Sequence, residues 1–290
     1  MPYLKYILVL LLSITTYSCC ATQAVVKEEK IIAETDTNTK SEVVITEVEA
    51  INKANIPNED LNTETDSLVS TATGRFIISH DTWNTLLQKN VSDQGNVNYK
   101  GFKTDISAFN SYLTLLSENP PETSWTKDET LAYWINVYNA FTVKLILDNY
   151  PVKSIKDING PWNHRFINIG EKWFTLNDVE HRIIRKMDEP RIHFTLVCAA
   201  VSCPKLYNKA FTAKTLEADL DKLTRAFLSD PSKNELSENS IKLSRIFKWY
   251  GGDFKTNGNS LIDFLNQYSE VTISSRAKKS YKDYNWDLNE

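Results

Sequence analysis

The segment 191-RIHFTLVCAAVSCPKL-206 holds the only two cysteines, Cys198 and Cys203, beyond the extreme N-terminus, together with one of the four histidines. Three chemistries suit this pair. In an exported protein the five-residue separation lets the chain bend back and close a disulfide, with a modest entropic gain because the loop is small. Two unreactive thiols, with Cys198 packed as a small hydrophobe, are the second. The third is a nucleophile. Proline favours the first position of a helix, so Pro204 would put Cys203 at the N-cap of a short turn through Lys205 and Leu206, where exposed backbone donors favour a thiolate.

A thiol, an imidazole and a group that orients the imidazole form the general nucleophilic arrangement. The candidate catalytic residues are therefore Cys203 as nucleophile, His193 or His181 as base, and Glu180, or alternatively Asn139, as the orienting group. Cys198, Cys203, His181 and His193 are also zinc-ligand types, but they lack C-x-x-C or H-E-x-x-H spacing, and no cofactor or metal is expected.

Elements must bring these residues together. Residues 191–200 are β-branched, aromatic and short, which predicts a buried strand with His193, Thr195 and Val197 on one face and Phe194, Leu196 and Cys198 on the other. Asn177 is expected to cap a helix over 178–187 with Val179, Ile183 and Met187 inward. Pro190 then returns the chain toward the strand, so that Glu180, His181 and His193 converge near Cys203.

The longest element is predicted after 126-TKDE-129, a capping box, and runs as a helix of about 22 residues to Pro151. It is apolar on nearly every side and should be central and largely buried, with Asn136 and Asn139 needing partners inside. Around it, shorter helices are read at 81–89, 102–119, 212–228 and 261–268, and a helical turn at 247–250. An extended piece over 95–102, a hairpin at Gly170-Glu171 and a short strand over 241–243 complete the pattern. The fold class expected is α+β: a mostly helical single domain around a long buried central helix with a small β-sheet.

Residues 1–19 have the character of a lipoprotein-type signal peptide. The apolar run from Tyr6 to about Ile14 is shorter than the roughly 20 residues a membrane-spanning helix needs, and Ser18-Cys19 closes it. Residues 20–74 read as a disordered acidic tether. From residue 21 to 74 there is no aromatic side chain, with eleven Asp and Glu against four Lys. Without that segment and Lys5, the whole-chain charge of −4 becomes about +2 for residues 75–290, which hold 29 of the 32 aromatics. That balance, with no long basic run, gives no reason to expect a nucleic-acid partner. The expected partners are an unknown small-molecule or peptide ligand and the membrane, through a lipid on Cys19. The expected location is the bacterial cell envelope, at a periplasmic or outer-membrane face.

With these segments in hand, the globular part, residues 75–290, resembles the family called domain of unknown function 547, found in many bacteria and in plants. The resemblance rests on 131-LAYWINVYNAFTVKLIL-147, 175-TLNDVEHRIIR-185, 193-HFTLVCAAVSCPKL-206 and 246-IFKWYGGDF-254, with weaker echoes in 95-GNVNYKGF-102 and 281-YKDYNWDLN-289. It implies the extent of the domain and marks Glu180, His181, Arg185, His193, Cys198 and Cys203 as its polar motif positions. It implies no reaction. Both candidate histidines precede Cys203, the reverse of the order in papain-like and transglutaminase-like enzymes, so those folds are not assigned. From the residues, the expected function is thiol-dependent hydrolysis or acyl transfer at an amide or peptide in the cell envelope; the alternative is a non-enzymatic binding or scaffolding domain.

Overall fold

The computed structural model describes residues 68–70, 76–255 and 258–290. The signal, Cys19, Cys20 and nearly all of the acidic segment lie outside them. The described residues form an α+β fold. It begins with an antiparallel pair, β1 (Leu68–Ser70) and β2 (Phe76–Ile78). Helix α1 (Asp81–Asn90) buries Trp83, Leu86 and Leu87 on one side. The piece expected to be extended over 95–102 turns instead into α2 (Tyr99–Thr104), because the Asn98 side chain accepts the Gly101 N–H and caps it. In α3 (Ile106–Glu118), Phe109, Leu113 and Leu116 face inward, whereas Ile106 remains 38% exposed.

Helix α4 (Lys127–Asn149) starts at the capping box. Glu129 N–H donates to Thr126 Oγ1 at 3.2 Å, and Thr126 N–H donates to Glu129 Oε2 at 2.6 Å. Sixteen of its 23 residues are buried, as befits a helix apolar on every side. Its two buried amides act as substitutes for a neighbouring strand. Asn136 bonds both the N–H and the C=O of Phe211, and Asn139 accepts from Val197 N–H while donating to Thr195 C=O. Asn139 thereby orients backbone, not an imidazole.

The hairpin of β3 (Ile167–Ile169) and β4 (Lys172–Phe174) turns at Gly170, whose φ of +58° suits glycine. Residues 178–187 are not one regular helix. A wide π-type turn over Asp178–Ile183 passes into a tight 3-10 turn over Ile184–Met187. Asn177 makes no cap bond; Asp178 N–H donates to Thr175 Oγ1 and Thr175 N–H to Asp178 Oδ2, which does the same work two residues earlier.

The largest departure is the expected strand over 191–200. Pro190–Phe194 is a 3-10 turn, and residues 195–215 carry no regular helix or strand. Ile192, Phe194, Thr195 and Val197 are buried, but among the described residues no partner strand runs alongside. Asn139 takes part of the backbone demand, and the C-terminal segment takes more, with Val201 N–H donating to Asp287 C=O and Ser202 N–H to Asn285 C=O. Gly95, at φ +84°, lets a loop approach this segment so closely that an added Cβ would lie 2.5 Å from Lys205 Cβ.

Helix α5 (Leu216–Ser229) turns Leu216, Leu220, Leu223 and Phe227 inward. The strands β5 (Glu235–Leu236) and β6 (Ser240–Leu243) pair antiparallel. After α6 (Ile246–Trp249) and α7 (Leu261–Tyr268), strand β7 (Lys278–Tyr281) joins β6 in parallel. The single small sheet expected is thus three separate pieces among the described residues. Phe194 packs with Phe227, Phe247, Phe254 and Phe264, while Leu196, Val197, Ala199, Ala200 and Cys203 belong to the larger cluster built on α4, so the stretch from Phe194 to Cys203 joins two apolar cores. No helix among the described residues is long and apolar enough to cross a membrane.

Candidate functional site

Where the irregular segment passes between α4, α6 and the C-terminal residues, a cavity of about 240 Å³ opens. Tyr138 of α4, Glu180 of the π-type turn, His193, Cys198 and Cys203 line it, as do Trp249, Tyr250, Tyr284 and Trp286. Three of the four candidate catalytic residues, Glu180, His193 and Cys203, therefore share one wall system. His181 does not line it.

The sulfurs occupy that wall as a disulfide. Cys198 and Cys203 are joined at 2.03 Å, and Cys203 is only 4% exposed. No helix follows Pro204, so the expected N-cap is absent; the Cys203 N–H instead closes a turn onto Ala200 C=O. Ala199 sits at φ +53°, a left-handed conformation that reverses the chain between the two cysteines. Because neither sulfur carries a proton, their neighbours must donate. Cys198 N–H points to Cys203 Sγ at 3.0 Å, and the Tyr284 hydroxyl lies 3.0 Å from Cys203 Sγ and 3.3 Å from Cys198 Sγ. Neither histidine is a hydrogen-bond partner of Cys203.

Glu180 is buried with its carboxylate in the hands of phenols. The Tyr138 hydroxyl donates to Oε2 at 3.0 Å, and the Tyr250 hydroxyl is hydrogen-bonded to the same group. Burial first, and then the Glu180 charge, push the Tyr138, Tyr250 and Tyr284 hydroxyls up, so these phenols stay protonated as donors. His181 Nδ1 lies 3.9 Å from Glu180 Oε1, but this is not an ion pair. Arg185 Nη1 approaches the same nitrogen at 3.0 Å, and a guanidinium can only donate. The Nδ1 of His181 is therefore unprotonated and turns a lone pair, not a proton, toward its neighbours.

His193 is held by a residue that sequence reasoning did not single out. Its Nε2 lies 2.8 Å from Asp253 Oδ2, and Arg185 grips the same carboxylate through Nε at 2.6 Å and Nη2 at 2.7 Å. Hydrogen bonding from His193, and then from Arg185, holds the Asp253 carboxyl well below the usual carboxylate range. A carboxylate accepts only, so His193 carries its proton on Nε2. The imidazole is stacked on Tyr250, with ring centroids 4.1 Å apart.

Aromatic rings form the rest of the cavity. Trp249 and Tyr284 lie 4.7 Å apart, Tyr284 and Trp286 4.6 Å, and Trp162 and Trp286 5.7 Å. The residues missed in the sequence stand inside quoted motifs: Trp249, Tyr250 and Asp253 within 246-IFKWYGGDF-254, and Tyr284 and Trp286 within 281-YKDYNWDLN-289. Their density of Trp and Tyr was the available signal. Among the described residues no group of three His, Cys, Asp or Glu side chains could hold a metal ion. As it stands, the arrangement offers a ligand ring faces, one carboxylate and phenolic donors.

Residues 122–228 match the model of a family described as protein of unknown function, DUF547. Comparison with curated proteins and with solved structures gives no match. The matched stretch carries Tyr138, Glu180, His193 and both cysteines, and stops short of Trp249, Asp253, Tyr284 and Trp286.

Proposed function

We propose that this chain, whose residues 122–228 match the DUF547 family model, a match that carries no reaction, is a small-molecule-binding domain presented at the bacterial cell envelope by a lipid on Cys19. What supports the binding role is the cavity itself: an aromatic recess with one buried carboxylate, in which the two sulfurs are joined to each other as wall. Concave, mostly apolar recesses with a few convergent polar groups are where small ligands bind. At about 240 Å³ this one suits a ligand smaller than a typical drug.

The test is a screen of small neutral, anionic and cationic compounds against the full chain by thermal shift and tryptophan fluorescence. Binding should appear for at least one class and be lost in Trp249→Ala, whose side chain is 47% exposed and can be removed without opening the core. A screen with no hits, or hits indifferent to Trp249→Ala, would remove the reading.

One observation favours a second reading, thiol-dependent acyl chemistry after reduction. Cys203 Sγ receives the Cys198 N–H and the Tyr284 hydroxyl, two donors that would favour a thiolate there, and the Asp253-held His193 lines the same cavity. Amide or ester hydrolysis that appears only with reductant, and disappears in Cys203→Ser, would support it; no such activity would leave binding alone.

A further inference from the structure

The charge inventory of the cavity is one-sided. Among the described residues no lysine or arginine lines it, and Glu180 is the only carboxylate that does. Arg185, which lies outside the lining but feels the Glu180 charge, is committed to Asp253 through two hydrogen bonds and to His181 through a third. The phenols that satisfy Glu180 are neutral, so its charge is solvated by hydroxyls and opposed by no cation within the cavity.

The rings complete the picture. Trp249, Tyr284 and Trp286 are in mutual contact, and Trp249 stands half exposed at the cavity. The faces of indole and phenol rings attract cations. Two rings here already do so: Lys156 Nζ sits 4.7 Å from the Trp286 ring, and the Arg185 guanidinium 5.3 Å from the Tyr250 ring.

We propose that this cavity binds a small organic ammonium ion, of the quaternary or methylated kind, with its charge against the Trp249, Tyr284 and Trp286 rings and balanced by Glu180. This rests on the small-molecule-binding reading and names its ligand class. A quaternary centre suits the walls better than a primary amine. An –NH₃⁺ group brings three donors that need acceptors, whereas the cavity offers mostly ring surface and a carboxylate already engaged by Tyr138 and Tyr250. A neutral sugar could stack on the rings but would leave the Glu180 charge unopposed.

The experiment titrates the full chain with tetramethylammonium, with choline and with 3,3-dimethyl-1-butanol, the uncharged carbon counterpart of choline, by calorimetry and tryptophan fluorescence. Both ammonium ions should bind, and choline should bind at least roughly tenfold more tightly than the neutral alcohol. Glu180→Gln keeps an acceptor for the phenols and removes the charge; it should weaken choline roughly tenfold or more and leave the neutral alcohol unchanged. Trp249→Ala, at a half-exposed position, should weaken choline too, and it serves as the second variant if Glu180→Gln does not fold. Equal affinity for choline and the alcohol, or choline binding unchanged in both variants, would overturn the proposal. Binding of neutral compounds alone would overturn the ammonium assignment and leave the small-ligand reading standing, while the absence of any ligand in the wider screen would take both away.

Discussion

Asn139 and Val197 are joined by a hydrogen bond of 3.0 Å from the Val197 N–H to Asn139 Oδ1, and the Nδ2 of the same amide donates to Thr195 C=O at 2.9 Å. One buried side chain of α4 thus completes the backbone of the segment that carries His193, Cys198 and Cys203. A strand in this place would have needed a neighbouring strand to satisfy those groups. The amide substitutes for it, and the segment is free to turn twice between His193 and Cys203 and to present both to one cavity.

Removing that amide should therefore cost stability. In Asn139→Ala the Thr195 carbonyl and the Val197 N–H are left buried and unpaired, each at about 1–3 kcal/mol. The expected loss is about 3 kcal/mol, or a fall of roughly 6–12 °C in Tm for a domain of this size. Asn136→Ala should cost a similar amount, because Asn136 serves Phe211 in the same way, yet it should leave ligand binding in the cavity intact in the folded fraction. Denaturation of the two variants alongside a binding titration checks both statements; a loss under 1 kcal/mol for Asn139→Ala would show that other groups replace it.

The state of the cysteines gives a second expectation. In the oxidised protein neither Cys198 nor Cys203 should take up iodoacetamide, and after mild reduction Cys198, the more exposed of the two, should be alkylated first. Peptide mass mapping separates these sites from Cys19 and Cys20. Replacing both Cys198 and Cys203 by serine should cost about 2 kcal/mol, the value for so short a loop. Alkylation of Cys203 without reductant would contradict the disulfide directly.

The same contrast marks what could be read from the sequence. The capping box at Thr126 and Glu129, and the inward row Leu216, Leu220, Leu223 and Phe227, are decided by residues three or four apart, and there the structure agrees with the sequence. The α5 start differs, at Leu216 instead of residue 212. Residues 191–200 were not legible in this way. Their composition reports burial, which a strand and a threaded loop share, and what decides between them is an amide 56 residues earlier and a C-terminal segment lying far downstream. For the site, Glu180, His193 and Cys203 could be picked by residue type. Asp253, Trp249, Tyr284 and Trp286 could not, because their roles arise only when α6 and the C-terminal segment fold against the loop.

Asp253 should leave a signature in acid. His193 and Arg185 hold its carboxyl below the usual range, whereas in the unfolded chain it titrates near 4. Above about pH 4 both states are ionised and the contribution is fully present; as pH falls below that, the unfolded state takes up a proton that the folded state resists, and stability is lost. The stability gap between the protein and Asp253→Asn should therefore narrow by about 1–2 kcal/mol between about pH 5 and pH 2, a figure reduced for partial solvent exposure of the pair. Urea denaturation at a series of pH values measures it. Parallel curves would mean that the His193–Asp253 contact contributes no charge-dependent stability.

The remaining expectation concerns where the cavity is displayed. The apolar run from Tyr6 to about Ile14 is too short to span a bilayer, and it ends at Ser18-Cys19, a sequence suited to cleavage before a cysteine that then carries lipid. A single acyl chain gives only marginal membrane binding and two or more give a stable anchor, so a lipidated Cys19 should keep the protein in the membrane fraction through salt washing. Cys19→Ala should shift it to the soluble fraction or halt its processing, and Cys20→Ala alone should not. If Cys20 is instead the modified residue, the two single variants exchange behaviour. Membrane association that survives Cys19→Ala combined with Cys20→Ala would exclude the lipid anchor, and another part of the protein would then have to account for that association.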